Sequence, residues 1–300
     1  MTQITAIILT FNEEKHIARC IESLQSVCTR IVLIDSYSTD RTVEIAKGLG
    51  AEILSHAWEN NYAKQLNWGI QAADIYSEWT LRIDADEFLS PELQEEIKHT
   101  LGTISSHISG IEFTRKVYFK GKWIRFGGFY PIHLLRLWRT GLGSCEQRLM
   151  DEHIVLTEGE TLRFKEHVID ENLNSMHWWV LKHNNYARRE AADALNQKYQ
   201  FTYTTDLTAS GSGQAQLKRI AKNSLYNRMP MGFRALLYFL FRFVFQLGFL
   251  DHPKVWIFHF MQGLWYRLLV DVNIYEAEKA TNKDPQLMKA MIVDEWKIEL

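Results

Sequence analysis

Short apolar runs alternate with helical patterns over the first hundred residues of the chain. The apolar runs are rich in β-branched residues and predict buried strands at Ile4–Leu9, Arg30–Ile34, Ala51–Leu54 and Trp79–Ile83. Between them, apolar residues recur at helical spacing and predict helices over Glu14–Val27, Arg41–Leu49 and Tyr62–Ala73. The order βαβαβαβ predicts an α/β fold with right-handed crossovers and a mostly parallel, Rossmann-type sheet with flanking helices.

The pattern is less regular beyond residue 100. Ile111–Phe119 and Leu134–Trp138 predict two further strands, and Ser175–Tyr199 has the spacing and composition of a helix. From Met231 the chain becomes strongly apolar and aromatic. We therefore expect a domain over residues 1–230, with halves of about 1–120 and 121–230, followed by an amphipathic helical region over 231–300.

Two apolar stretches in this last region, Met231–Leu250 and Pro253–Val270, are each nearly long enough to span a bilayer. Arg234, Tyr238, Arg242 and Gln246 recur every four residues, so on a helix they form one polar stripe. Two arginines in the middle of a bilayer would each cost roughly 2.5–3.5 kcal/mol, whereas an interfacial helix keeps them among the headgroups. Interfacial binding is therefore favoured over a spanning helix and over a helical hairpin packed within the protein or an oligomer.

Basic residues accumulate in the same region. Between Gln214 and Val270 a single acid, Asp251, stands against eight bases: Lys218, Arg219, Lys222, Arg228, Arg234, Arg242, Lys254 and Arg267. Such an excess is attracted to anionic lipid, so we expect an anionic membrane surface as a partner.

The overall composition excludes other classes of partner. A formal charge of −2 gives no basis for binding nucleic acid. Three cysteines form neither an even disulfide framework nor a metal-binding spacing, and the apolar start has no basic segment or cleavage site. We expect a cytoplasmic protein that is peripherally associated with the inner face of the cytoplasmic membrane.

Polar, largely acidic residues follow three of the predicted strands. These are Thr10-Phe11-Asn12-Glu13, Asp35 to Asp40, and Asp84-Ala85-Asp86-Glu87. Ligands bind beyond the carboxyl ends of strands in an open parallel sheet, but no Gly-rich phosphate loop is present. An acidic rim needs a divalent cation to hold a diphosphate, and Asp84 and Asp86 offer carboxylates to Mg²⁺ or Mn²⁺.

At this spacing, the three motifs resemble those of family 2 glycosyltransferases of the GT-A fold. The resemblance covers about residues 1–120, and a looser likeness to bacterial polysaccharide and lipopolysaccharide-core transferases extends to about residue 275. It implies that the first two loops hold a nucleotide, usually uridine, that Asp84-Ala85-Asp86 holds the metal, and that the anomeric centre is inverted with a carboxylate as base. One departure is Tyr37, where the family pattern usually has glycine.

Carried over by residue, the resemblance places Thr10, Phe11, Asn12, Glu13 and Asp35 at the nucleotide, while Asp40 caps the following helix. Lys64 falls where the family often has a basic donor-site residue, although a solvated helix lysine is an equal alternative. Asp84 and Asp86, which we call the acidic pair, complete the expected donor site together with Ala85.

The remaining roles are assigned by the same resemblance. The expected base is an acidic residue of the segment Asp151-Glu152-His153, and Glu152 is favoured over Asp151. The alternative is that this segment is only a surface turn. His167 is the expected third metal ligand, although His153 also qualifies. An acceptor role is open for the His177–Arg189 segment, for Phe126–Pro131 and for Arg136, with simple helix docking as the competing interpretation of the tryptophans.

The sequence thus predicts an inverting transferase that moves a sugar from a nucleotide-sugar donor, a UDP-sugar above all, to a lipid-linked or lipopolysaccharide glycan. Two alternatives remain: a nucleotidyltransferase acting on sugar phosphates, and an inactive membrane adaptor on the same fold.

Overall fold

A computed structural model of the 300-residue chain describes residues 2–146, 153–201 and 229–298. The backbone contacts divide it into two compact units. Unit 1 contains most of the residues up to Leu173, and unit 2 contains Asn174 and the residues that follow it, together with Phe126–Gly128.

The first half of unit 1 has the predicted alternation. Strands β1 to β4 cover Ile4–Thr10, Arg30–Asp35, Glu52–Ser55 and Trp79–Arg82, and helices α1 to α3 cover Ile17–Leu24, Thr42–Gly48 and Tyr62–Ala72. The strands are parallel in the order β3-β2-β1-β4. Helix α1 begins three residues later than predicted because the amides of Glu13 and Glu14 donate to Thr42 Oγ1 and Asp40 Oδ2 instead of to a helical turn.

Strand β1 lies at the centre of the parallel part and is buried on both faces. Ile4, Ala6 and Ile8 pack with α1 on one side, whereas Ile7 packs with α3 on the other. Burial on both faces is typical of a parallel sheet covered by helices, and it explains why this strand is an uninterrupted apolar run. The predicted α/β class is confirmed.

The second half of unit 1 extends this sheet with mostly antiparallel pairs. Its elements are β5 (Glu87–Leu89), α4 (Pro91–Thr100), a 3₁₀ turn (Leu101–Thr103), β6 (Ile108–Phe119), β7 (Lys122–Trp123), β8 (Ile132–Arg139), β9 (Gly143–Cys145), β10 (Ile154–Leu156) and β11 (Glu160–Glu171). The full strand order is β3-β2-β1-β4-β8-β6-β11-β5, with β7 paired to β6 and with β9 and β10 forming a separate hairpin. Strands β6 and β11 run parallel to each other. The two strands predicted here lie within β6 and β8. Strand β11 had no clear sequence pattern because charged side chains occupy its many exposed positions.

Unit 2 is helical. Its elements are α5 (Met176–Tyr199), α6 (Phe233–Leu240) continuing as a π-helical turn (Phe241–Phe245), a 3₁₀ turn (Gly248–Leu250), α7 (Pro253–Phe260) continuing as a second π-helical turn (Met261–Trp265), α8 (Tyr266–Ala280) and α9 (Pro285–Asp294). Ala191 and Leu195 of α5 pack with Ile274 of α8 and Met288 of α9. Helix α5 therefore belongs to the C-terminal unit, although the sequence placed it in a domain ending at residue 230.

The polar stripe predicted for the C-terminal region faces the interior of unit 2. Arg234 is buried and forms an ion pair with Asp271 of α8, and Arg242 donates to the carbonyl oxygen of Gly127 and to Tyr238 Oη. The expectation that these arginines lie among lipid headgroups is wrong for both, because each has a protein acceptor. Lys218, Arg219, Lys222 and Arg228 of the expected basic patch lie outside the described residues.

Candidate active site

The carboxyl ends of β1 and β2 are joined through buried side chains. Thr10 Oγ1 donates to Asp35 Oδ1 at 3.0 Å, and the amide of Ser38 donates to Asp35 Oδ2 at 2.8 Å. We call the sheet edge at the carboxyl ends of β1, β2 and β4 the rim. Thr10 and Asp35 are both buried beneath the loops that follow β1 and β2, and they form the floor of this part of the rim. The sequence predicted that these two residues would meet because parallel strands end at the same sheet edge.

The loops above this floor hold each other in unusual backbone conformations. Asn12 and Tyr37 both have positive φ angles, 57° and 60°, in the left-handed region. The Asn12 side chain accepts a hydrogen bond from the amide of Thr39 at 2.8 Å, and the Asn12 amide donates to Ser38 Oγ at 2.9 Å. Tyr37 thus adopts the conformation that glycine favours, at a cost of about 1–2 kcal/mol that these bonds offset. Its ring is 62% exposed and that of Phe11 is 58% exposed.

Glu13 contacts a buried histidine that the sequence did not single out. Glu13 Oε2 lies 2.6 Å from His16 Nδ1, and His16 Nε2 accepts from the amide of Leu173 at 2.8 Å. The Asp40 carboxylate accepts from the amide and the hydroxyl of Thr42, the first residue of α2, although the N-cap position of this helix is Arg41 and not Asp40 as predicted. Glu13 therefore connects this loop to the residues that follow β11.

Asp84, directly after β4, is surrounded by donors. It accepts from Tyr62 Oη at 2.6 Å and from Arg136 Nη2 at 3.1 Å, and Arg82 Nη2 lies 3.5 Å away. Burial alone would raise the pKa of Asp84, but the charges of Arg82 and Arg136 and the two hydrogen bonds hold it well below its usual range. Burial raises the pKa of Tyr62, so its hydroxyl stays protonated and donates. Asp84 is a carboxylate with its charge already compensated.

Arg136 of β8 joins Asp84 to a second, fully buried carboxylate. The same Nη2 atom that contacts Asp84 donates to Glu87 Oε1 at 2.5 Å, and the amide of Asp84 donates to Glu87 Oε2 at 3.1 Å. Arg136 is 3% exposed and Glu87 is 1% exposed. Burial raises the pKa of Glu87 to about 7, with the neighbouring charges of Asp84 and Asp170 adding to the effect and Arg136 opposing it.

Strand β11 brings another carboxylate to this cluster. Asp170 pairs with Glu87 in the antiparallel register of β11 and β5, and its Oδ2 lies 3.5 Å from Arg115 Nη1. The pKa of Asp170 is raised to about 6, chiefly by burial; the charge of Arg115 opposes this rise, and the carboxylates of Asp86 and Asp84 contribute to it. The sequence missed Glu87, Tyr62 and Asp170 as parts of the site. For Arg136 the sequence contained one indication, which is that this charged residue interrupts the apolar run of β8.

Asp86, the second carboxylate of the acidic pair, is held differently. Its Oδ2 accepts from Asn172 Nδ2 at 3.0 Å, and its carbonyl oxygen accepts from the amide of Glu171 at 3.2 Å. Arg19 lies beside this contact but pairs with the Glu171 carboxylate at 2.8 Å. A carboxylate has about four acceptor positions. Both oxygens of Asp84 accept hydrogen bonds, whereas Asp86 accepts one side-chain hydrogen bond from the described residues, on Oδ2, so Asp86 keeps more capacity for a hard cation. The donor chemistry fits Mg²⁺ or Mn²⁺ at Asp86, while Ala85 between them is buried.

His167 is not brought together with the acidic pair. Its Nε2 lies 3.0 Å from Tyr130 Oη and its Nδ1 lies 3.5 Å from Glu166, while burial and the charge of Lys116 lower its pKa. It precedes Asp170 by three strand positions, which corresponds to about 10 Å. Over residues 2–146, 153–201 and 229–298, no group of three or more His, Cys, Asp and Glu side chains could hold a metal. The structure thus gives no support to His167 as the third ligand.

The other predicted residues lie at varied distances from this rim. Lys64 is exposed near the start of α3, with its Nζ atom 4.0 Å from Glu59. His153 begins the residues leading into β10, and its carbonyl oxygen accepts from the amide of Glu146. Asp151 and Glu152, the expected base, lie outside the described residues. The His177–Arg189 segment lies in α5 of unit 2.

Comparison with known proteins finds a family model that matches part of the chain. The model of glycosyl transferase family 2 matches residues 5–141, which include β1 to β4, the acidic pair and Arg136. Over these residues the chain is similar to glycosyl transferase family 2. The GT-A-like fold expected for this family is the one described above.

Several relatives share parts of the chain. An uncharacterized glycosyltransferase of Rickettsia typhi is 41% identical over 99 residues, which are 33% of this chain and 33% of that protein. The lipopolysaccharide core biosynthesis glycosyltransferase LpsC of Rhizobium meliloti is 29% identical over 206 residues, 63% of this chain and 70% of LpsC. The match thus spans about a third of the length of the Rickettsia relative.

Among solved structures, the chain is similar to glucosyl-3-phosphoglycerate synthase from Mycobacterium tuberculosis, crystallised with Mn²⁺, uridine diphosphate and glucosyl-3-phosphoglycerate. The identity is 20%, the match covers 40% of this chain and 45% of that chain, and the TM-score is 0.31.

The buried Glu87 predicts a pH dependence of stability. Its pKa rises from about 4.3 in an unfolded chain to about 7 in the fold, so its contribution to stability is complete below the lower value and lost as the pH rises through the upper one. We expect Glu87→Gln, which stays neutral, to gain about 2–3 kcal/mol over the unsubstituted chain between pH 5 and pH 8. Urea unfolding in the presence of a chelator measures this difference.

Glu158→Gln is the matched control because Glu158 is exposed, and it should keep the original pH slope. If Glu87→Gln shows that same slope, the carboxyl of Glu87 does not titrate as described.

Proposed function

We propose that this chain is an inverting glycosyltransferase that moves a sugar from a nucleotide-sugar donor, a UDP-sugar above all, to a lipid-linked or lipopolysaccharide glycan. The observation that carries the proposal is the arrangement at the end of β4. There Asp84 is neutralised by Arg82 and Arg136, while Asp86 beside it keeps acceptor capacity at the same sheet edge as Asp35. The similarity to glycosyl transferase family 2 over residues 5–141 supports it.

The nucleotide would lie against the loops that follow β1 and β2. The exposed rings of Phe11 and Tyr37 suit stacking on a base, and such flat contacts need no further rearrangement of the loop. Asn12 and Glu13 fix the loop through hydrogen bonds, and the buried Asp35 holds its floor. Lys64 remains a proposed partner for the donor phosphates because its ammonium group is exposed.

We propose Asp86 as the protein carboxylate that binds Mg²⁺ or Mn²⁺, with Asn172 orienting it. Ions of this kind are usually bound through one or two carboxylates together with substrate phosphates. When bound, the metal would neutralise charge on the leaving nucleoside diphosphate. Asp84 would act chiefly by positioning Tyr62 and Arg136, since its own charge is compensated.

Glu152 is the proposed base, with Asp151 as the second candidate. Both belong to the connection between β9 and β10, whose ends are well anchored. Asn67 of α3 accepts from the amide of Cys145 and donates to its carbonyl oxygen, each at 2.8 Å, and β9 pairs with β10. Helix α3 also carries Tyr62, which contacts Asp84, so the described end of β9 and the acidic rim share one supporting helix.

The acceptor and location are proposed from similarity and composition. The likeness to a lipopolysaccharide core transferase supports a lipid-linked or lipopolysaccharide acceptor. Basic and aromatic residues of α5, where Lys182 lies 4.7 Å from the ring centroid of Trp178, suit contact with sugar rings and phosphates. We place the protein at the inner face of the cytoplasmic membrane, peripherally bound to anionic lipid.

The two acidic residues should differ in their effect on metal-dependent donor binding. We expect Asp86→Ala to weaken Mn²⁺-dependent UDP binding by about 100-fold or more, and Asn172→Ala, which releases Asp86, by about 10–100-fold. Calorimetric titration with UDP, with and without Mn²⁺, measures both effects. Asp74→Asn, at an acid that precedes β4 and so lies at the opposite end of this strand from the acidic pair, should bind as the unsubstituted chain does. Unaltered binding by Asp86→Ala would refute the metal assignment.

The base should affect turnover rather than binding. We expect Glu152→Gln to lower kcat by about 10²–10⁴-fold, because proton removal from the acceptor hydroxyl is lost, while the donor affinity stays unchanged. Asp151→Asn serves as the matched variant and should retain most of the activity. Near-normal turnover of Glu152→Gln with saturating donor would exclude this residue as the base.

One assay separates the proposal from its alternatives. The protein is incubated with UDP-sugars and Mn²⁺, and slow release of UDP supports the transferase. Pyrophosphate formed from UTP and a sugar phosphate would instead identify a nucleotidyltransferase. The absence of both products, together with no metal-dependent nucleotide binding, would leave the adaptor.

A further inference from the structure

The helical pair in unit 2 exposes apolar side chains to an unusual extent. We name residues 233–265 the apolar hairpin: α6 with its π-helical turn, the connection containing the 3₁₀ turn, and α7 with its π-helical turn. Thirteen of its large apolar side chains are exposed. The most exposed is Phe245, at 76%, and Leu247, Phe249 and Leu250 follow it at the tip of the hairpin. Soluble proteins rarely expose a continuous apolar surface of this extent without a binding partner.

Three polar side chains of the apolar hairpin, those of Arg234, Arg242 and His259, are paired inside unit 2. Arg234 pairs with the buried Asp271, Arg242 donates to the Gly127 carbonyl, and His259 Nε2 lies 2.8 Å from Asp251 Oδ2, with both of these last residues buried. A helix on a water-facing surface places such groups outward and its apolar face inward. The hairpin has the opposite arrangement, in which its charges are paired inside unit 2.

Several backbone amides at the tip donate to carbonyl oxygens of the hairpin itself. The amides of Gln246 and Leu247 donate to Phe241 and Val244, and those of Leu250 and Asp251 donate to Leu247 and Gly248, at 2.9–3.2 Å. The carbonyl oxygen of Gln246 accepts from the amide of Gly127 in the same unit, and Trp256 Nε1 donates to the carbonyl oxygen of Phe249 at 3.1 Å. Pairing of these groups within the protein suits contact with hydrocarbon, which supplies no hydrogen-bonding partners.

The charge of the hairpin surface fits a lipid leaflet as well. Asp251 is the only acid between residues 233 and 265, and it is buried against His259. The exposed ionisable residues next to the tip are His252 and Lys254. A surface without carboxylates meets no repulsion from anionic headgroups, and a lysine at the edge of the apolar area is attracted to them.

The length of the hairpin limits how it can meet a membrane. Residues 233–245 form about 20 Å of helix, less than the roughly 30 Å of a hydrocarbon core. In the three described ranges, no helix has both the length and the apolar character needed to cross a bilayer. The dimensions therefore suit entry into one leaflet.

We propose that the apolar hairpin inserts its tip, Phe245–Leu250, into the acyl chains of one leaflet of a lipid bilayer. This inference rests on the proposed membrane association and specifies its physical basis. The apolar side chains supply the binding free energy, and the basic residues contribute only attraction to the surface. Binding is therefore expected on neutral as well as anionic lipid, and high salt should remove only the electrostatic part of it.

Flotation of the full-length protein with vesicles tests this. We expect it to float with vesicles of phosphatidylcholine alone and to remain bound at high salt. Phe245→Ser/Leu250→Ser should reduce the bound fraction about ten-fold or more, because two large side chains no longer leave water. Leu181→Ser/Leu287→Ser removes two equally exposed leucines of α5 and α9 and should bind as before.

The depth of insertion gives a second measurement. Leu250→Cys, carrying an environment-sensitive fluorophore in a Cys28→Ser background, should be quenched more strongly by nitroxides on the acyl chains than by nitroxides on the headgroups. The same label at Leu287→Cys should not be quenched by the acyl-chain probes. Cys20 and Cys145 are buried and should remain unlabelled.

Three outcomes would overturn the proposal. They are binding only to anionic vesicles with release at high salt, absence of vesicle binding, and a stable lipid-free dimer in which the label at position 250 is shielded. The slow UDP release described above is measured on the same tip variant without vesicles. It should be unchanged, so a failure of insertion is distinguishable from a failure of sugar transfer.

Discussion

The contact of Arg136 with Asp84 and Glu87 is the central charge pairing of the rim. Three of the four parallel strands, β1, β2 and β4, bring acidic loops to one sheet edge, and β11 adds Asp170 to the cluster around Asp84 and Glu87. Carboxylates collected in this way repel one another, and burial raises the cost further. Arg136 Nη2 contacts both Asp84 and Glu87, and Arg82 and Arg115 lie beside the neighbouring carboxylates. Removing one partner of a buried pair typically costs about 3–5 kcal/mol, so the loop after β4 depends on this arginine.

The same balance distinguishes the two members of the acidic pair. Asp84 and Asp86 differ by two positions and would be equivalent on a solvated turn. In the structure Asp84 accepts hydrogen bonds from Tyr62 and Arg136, whereas Asp86 accepts one from the side chain of Asn172. A motif that suggests two metal ligands is thus divided between a carboxylate that holds Tyr62 and Arg136 and a carboxylate that we propose as the cation ligand.

Unit 2 satisfies its charges by a different route. Arg234, Arg242 and His259 are paired inside the unit, and the apolar side chains of the hairpin are left on its surface. Burying these ion pairs requires well-placed partners, and Asp271, the Gly127 carbonyl and Asp251 supply them. The hairpin surface can therefore remain apolar without leaving any of these three cationic or imidazole groups unpaired.

The sequence by itself determined the local elements and their order. Uninterrupted β-branched runs and helical spacing identified β1 to β4 and α1 to α3, and the strand-end motifs placed Thr10, Asp35 and the acidic pair at one edge, because these patterns depend on neighbours in sequence. Only the tertiary structure decided the partners. The contact of Arg136 with Asp84 joins residues 52 positions apart, and that of Asn172 with Asp86 joins residues 86 apart. Likewise, the four-residue spacing of Arg234 and Arg242 predicted one helical face, but the position of Asp271 and Gly127 decided that this face is inside. A periodic pattern fixes which side chains share a face, and long-range packing determines what that face meets.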